Sequence, residues 1–134
     1  MTVFDCALLE SLCIGKDIRL HLTGYVDGLL YVFIDARARH ALDGVGGYHA
    51  SAPSGIGRIA HVLALRDADT FVIGPVRIVV EAVRLRIAGA DVLRAVRLRI
   101  DAPASLRIVR ETPLRPARLP RPARSQRLAG GASC

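Results

Sequence analysis

Leu12-Cys13-Ile14-Gly15, then Ile18-Arg19-Leu20-His21-Leu22, then Tyr31-Val32-Phe33-Ile34-Asp35-Ala36: this succession occurs twice in the chain. Its second occurrence is Phe71-Val72-Ile73-Gly74, Val76-Arg77-Ile78-Val79-Val80 and Arg97-Leu98-Arg99-Ile100-Asp101-Ala102. Self-similarity of this kind marks tandem structural units. Each unit is about fifty residues, near the lower limit at which a chain can bury a core alone. Two such units are expected to fold against each other.

Working outward, the repeated stretches read as strands. Ile18, Leu20 and Leu22 alternate with Arg19, His21 and Thr23, the period of two of a half-buried strand. Asp27-Gly28 follows, a pair suited to a type I′ turn because both central residues need positive φ. On the return, Leu30, Val32 and Ile34 alternate with Tyr31, Phe33 and Asp35; both faces are apolar, which predicts a central strand. Residues 1–7 predict a short first strand. In the second copy a longer hairpin runs roughly from Val76 to Ile100, with its turn at Ala88-Gly89-Ala90-Asp91. Arg94 falls on the apolar parity, which predicts a bulge or a short helical turn at Val92–Ala95. The result is a projecting ribbon with Arg84, Arg86, Arg97 and Arg99 along one side. Asp35 and Asp101, at equivalent repeat positions, read as turn acids bonding local backbone amides.

Composition agrees with an all-β chain. Of 134 residues 51 % are apolar but only 4 % aromatic, with no Trp, so Val, Leu, Ile and Ala must fill the core. β-branched residues dominate the periodic stretches. Residues 44–60, with five glycines, two serines and one proline, read as a linker joining a first unit at 1–43 to a second at 61–114. These glycines are not a phosphate loop: no Lys follows and no strand–loop–helix unit surrounds them. Residues 115–134 carry Arg115-Pro116-Ala117-Arg118 and Arg121-Pro122-Ala123-Arg124, and are expected to be a disordered or extended basic tail.

Charge is unevenly placed. Residues 1–60 hold five Lys/Arg and six Asp/Glu, residues 61–114 nine and six, and residues 115–134 five and none. Only Lys16 is lysine, and the planar guanidinium of the rest suits phosphate or carboxylate partners. Cys6, Cys13 and Cys134 are an odd count without CxxC spacing, so no disulfide framework and a reduced, cytoplasmic setting are expected. No apolar run approaches the roughly eighteen residues of a membrane span, and no membrane partner is expected. His21, His40, His49 and His61 lack metal-ligand spacing, and no Ser/His/Asp grouping or carboxylate pair stands out. No metal, cofactor or enzymatic activity is expected.

Val96-Arg97-Leu98-Arg99-Ile100-Asp101-Ala102-Pro103, continuing to Ile108-Val109-Arg110-Glu111, resembles a signature of the carbon storage regulator family. There a VRIG(V/I) strand runs through N-A-P into a short VxVHREE strand. Thr70-Phe71-Val72-Ile73-Gly74 and, in the first copy, Ser11-Leu12-Cys13-Ile14-Gly15 match the family's E-T-L-x-I-G segment. The resemblance covers residues 1–43 and 61–111. It implies a single-chain counterpart of an obligate homodimer whose five-stranded subunits interleave into one barrel or sandwich. It further implies a bacterial translational regulator that binds GGA-containing loops of messenger and small RNAs.

Family RNA sites pair the first strand of one subunit with the fifth strand of the other. Carried over, Arg110 falls on the HRE arginine and Arg66 on the second of a first-strand arginine pair, with Leu65 replacing the first. In the first copy Cys6 and Ala7 stand at that pair and Gly44 at the HRE arginine. If the strands cross over, Arg110 lies beside Cys6 and Ala7, and Arg66 beside Leu42 and Gly44. The residues assigned to RNA are Arg110, Arg66, Arg107, Arg97 and Arg99. A plain surface arginine paired with Glu111 or Asp101 is the other reading of Arg110. The missing arginines also leave a second class of function open: a protein-interaction module that has lost RNA recognition and pairs through exposed strand edges with a family dimer or its protein antagonist.

Overall fold

The computed structural model describes residues 1–111, which form eleven β-strands and no helix. The predicted basic tail lies outside the described residues. In the first copy the strands are β1 (Thr2–Cys6), β2 (Ser11–Ile14), β3 (Ile18–Val26), β4 (Leu29–Arg37) and β5 (Leu42–Asp43). Next comes β6 (Tyr48–Gly55). The second copy supplies β7 (Arg58–Leu65), β8 (Thr70–Ile73), β9 (Val76–Ile87), β10 (Ala90–Asp101) and β11 (Ile108–Glu111).

Two antiparallel sheets form a sandwich, ordered β1-β10-β9-β8-β5 and β11-β2-β3-β4-β7-β6. Each sheet therefore takes its central three strands from one copy and flanking strands from the other. Thr2 of β1 stands opposite Ile100 of β10, Leu30 of β4 opposite Leu65 of β7, and Arg110 of β11 opposite Leu12 of β2. The two copies share one core, to which Leu20, Val32, Ile34 and Leu63 come from one sheet and Phe71, Ile78, Val96 and Leu98 from the other. Truncating such a buried Leu or Ile to Ala costs about 2–5 kcal/mol, so neither copy can lose its partner and keep a closed interior.

The repeat is visible in individual hydrogen bonds. Leu9 N–H donates to Leu22 O at 2.7 Å, and Ala68 N–H donates to Val80 O at 2.7 Å. Both donors have positive φ, 75° and 72°. Gly15 N–H donates to Arg107 O at 2.8 Å and Gly74 N–H to Ala41 O at 2.9 Å, so each repeat's glycine ties down the loop before the other copy's last strand. Their φ values of 63° and 57° favour glycine, and a Cβ would meet Leu106 Cδ2 at 2.9 Å or His40 Nδ1 at 2.5 Å.

Asp27 and Gly28 both have positive φ, 54° and 79°, as a type I′ turn requires; Ala88 and Gly89 repeat this at 51° and 82°. Strand β4 is central in its sheet, between β3 and β7. The β10 ladder shifts register between Leu93 and Ala95, making Arg94 the extra residue of a bulge. Two expectations change. Residues 44–60 are not simply a linker, because Tyr48–Gly55 form β6 and pair with β7. Asp35 and Asp101 lie on strands rather than in turns, and Asp35 accepts from Arg58 Nε at 3.2 Å and Ser54 Oγ at 2.9 Å.

Candidate nucleic-acid interface

Strand exchange brings two sheet edges from opposite copies side by side. Among the described residues β1 ends one sheet and β11 ends the other, and each pairs on one side only. No other described strand takes up their outer N–H and C=O groups, and such an edge can receive another chain. Arg110 faces inward from β11, on the side of its partner Leu12, and its guanidinium carbon lies 5.5 Å from the centroid of the Phe4 ring. Such a cation–π contact, worth about 0.5–1 kcal/mol at an exposed site, orients the guanidinium across the gap between the strands. Glu111 is engaged elsewhere, 2.8 Å from Arg19, and Arg110 makes no ion pair with Asp101 or any other acid among the described residues.

On the outer side of β1, Asp5 accepts from Arg97 Nε at 2.9 Å and Nη2 at 3.3 Å. Its carboxyl is held below the usual range, first by the Arg97 hydrogen bond and further by the charges of Arg97, Arg94 and Arg110, against the opposing effect of burial. Arg97 thus bonds this carboxylate directly, while Arg94 and Arg110 act on it through their charge. Cys6, just inside it, is a buried free thiol whose pKa is pushed up by burial and only partly offset by Arg110.

The five assigned arginines do not form one site. Arg110 stands at the β1/β11 edge with Arg97 behind it. Arg99 lies further along the outer face, where it bonds Glu81 at 3.2 Å. Arg107 is an exposed residue of the loop entering β11, joined to Gly15 through its carbonyl. Arg66 belongs to the other composite edge, where its N–H donates to the Asp69 carboxylate at 2.8 Å. The ribbon is not bare cation: Arg84 faces Asp67 at 3.8 Å and Arg86 faces Asp91 at 3.2 Å. Two members of the open edge escaped the sequence reading. Arg94 had only its misplaced parity as a signal, and Phe4 was a lone aromatic in a short strand.

The equivalent edge of β7 and β5 is different. By the shared ladder register, Leu63 takes the place of Phe4 and Gly44 that of Arg110. Leu63 is fully buried, and β6 pairs along β7 from Tyr48 opposite Ala64 to Gly55 opposite Arg58. Ser51 Oγ lies 2.7 Å from His61 Nδ1, adding a side-chain bond to that ladder. Burial, and secondarily the charge of His49, lowers the pKa of His61. Among the described residues no grouping of His, Cys, Asp and Glu could hold a metal ion, and no helix is long and apolar enough to cross a membrane. Comparison with protein-family models, with curated proteins and with solved structures returned no match.

Proposed function

We propose that this chain is an RNA-binding regulator of translation, akin to the carbon storage regulator family, that holds a GGA-type single-stranded loop along the β1/β11 edge. The observation that carries this reading is the meeting of Arg110 with β1 across the sandwich. Arg110 supplies a planar pair of donors for a phosphate or a guanine O6/N7 edge, an interaction worth about 1–3 kcal/mol. The adjacent strand edges supply backbone donors and acceptors for unstacked bases. Arg94 and Arg97 supply positive charge; the pairing of Arg97 with Asp5 is half-exposed and can yield to a phosphate at little cost.

The ion-paired state of Arg97 and Arg99 favours a second reading, in which the edge receives an extended segment of a protein partner. Gel shifts on a GGA hairpin and a scrambled control, across a salt series, separate the two. The RNA reading expects preference for GGA and a loss of about fivefold to a hundredfold or more in Arg110→Ala, from about 1–3 kcal/mol for each bidentate pair removed. Equal binding of both RNAs, or unchanged binding by Arg110→Ala, rejects it.

A further inference from the structure

We propose that β6 is a built-in occupant of a second strand-binding edge, so that the chain carries one open RNA site and one closed one; this rests on the RNA reading of the β1/β11 edge. The internal symmetry relates β1 to β7 and β11 to β5, residue for residue. Among the described residues nothing pairs on the outer side of β1, whereas the same side of β7 is filled by a segment in extended conformation. β6 thereby displays, within the molecule, what an added chain does at such an edge.

β6 is not there to complete the core. All eight of its residues are exposed and none belongs to the shared hydrophobic cluster. It is rich in Ala, Ser, Pro and Gly and is held by polar ties: the ladder to β7, Ser51 on His61, and Ser54 on Asp35. Detaching it would uncover little apolar surface. Beneath its start lies a cavity of about 380 Å³ bordered by Gly46, Gly47, Tyr48, Ala64 and Arg66. The Arg66 side chain makes no ion pair among the described residues, while Asp69 holds its backbone. The closed edge therefore keeps the arginine that the open edge lacks, where Ala7 stands: Arg66 is exposed and borders the same cavity as the start of β6.

Gly47 is the lever. A Cβ there would fall 2.6 Å from the carbonyl oxygen of Ala64, a backbone atom of β7 that cannot swing aside. Gly47→Val should therefore push the start of β6 off the edge, and Ser51→Pro should lift its middle by removing the bond to His61 and crowding the ladder. Calorimetric titration of the full chain with a short single-stranded GGA RNA reads the valence, and amide hydrogen exchange along β7 reads whether β6 has lifted. The wild type should saturate at one RNA per chain and Gly47→Val at two, with Arg66→Ala in that background returning it to one. Two RNAs on the wild type, or one on either variant with β7 amides freed, would overturn the inference while leaving the open-edge reading intact. Absence of RNA binding by wild type and variants alike would instead reject the open-edge reading and this inference with it.

Discussion

Phe4 and Leu63 hold equivalent places in the two composite edges, and their surroundings have diverged. Phe4 is partly buried under Arg110, on a strand with no other described strand paired on its outer side. Leu63 is fully buried, with Gly44 in the arginine's position and β6 closing the ladder. In a symmetric homodimer any substitution appears in both edges at once. Two copies joined in one chain are released from that constraint, so one edge can keep its cation while the other gains a cover.

The largest expected contrast is in stability. Leu63→Ala should lower unfolding free energy by about 2–5 kcal/mol, as for a fully buried leucine, measured by urea denaturation. Phe4→Ala should cost less stability but release Arg110, and so weaken RNA binding that Leu63→Ala leaves in place whenever the protein stays folded. Equal stability losses would erase the distinction between the edges. Arg94→Ala comes next: loss of a cation beside Asp5 should weaken GGA and scrambled RNA alike, since a bulge residue beyond the strand edge meets phosphates rather than bases. A selective loss for GGA would instead make Arg94 a base reader.

Acid should act on the covered edge. The pKa of His61 is lowered in the folded state from 6.5, so the neutral form is favoured there and the unfolded chain binds the extra proton more readily. Its contribution to stability is full above about 6.5 and is lost as pH falls through the folded-state pKa. Protection of β7 amides, taken relative to their intrinsic exchange rates, should therefore fall as pH drops below about 6.5, more than protection in β10, and His61→Gln should flatten the difference. The smallest effect concerns residues 115–134. Deleting them should lower affinity for matched and scrambled RNA by a similar factor. It should also reduce the log–log salt slope by about 0.7 for each phosphate no longer neutralised. An unchanged slope would confine all phosphate binding to the described residues.

Much of the sandwich was legible in the sequence because it is written in periodicity. The alternation of Ile18 to Leu22 and the misplaced parity of Arg94 follow from a buried face imposing a period of two, and the Asp27-Gly28 turn from the positive φ that both of its residues adopt. β6 was not legible for the same reason. A strand with neither face buried has no alternation to display, and Tyr48-His49-Ala50-Ser51-Ala52-Pro53-Ser54-Gly55 is extended because β7 offers a ladder. The partner of Arg97 was hidden too, since Asp5 reaches it only through pairing of β1 with a strand of the other copy. The exchange itself became readable only through resemblance, because local pattern does not say which copy a flanking strand joins.

That exchange also governs how the molecule comes into being on the ribosome. Thr2 must wait for Ile100 before β1 has a neighbour, and Leu12 must wait for Arg110. At roughly 5–20 residues per second the interval is on the order of 5–20 s. The β3–β4 hairpin can close early from local interactions, but its apolar side stays open until β9 and β10 have been synthesised. Folding dominated by such distant pairings is slow, on the order of milliseconds to seconds once the chain is complete. The nascent protein therefore spends most of its synthesis with half a core exposed, a period in which chaperones or neighbouring chains compete for the same surface.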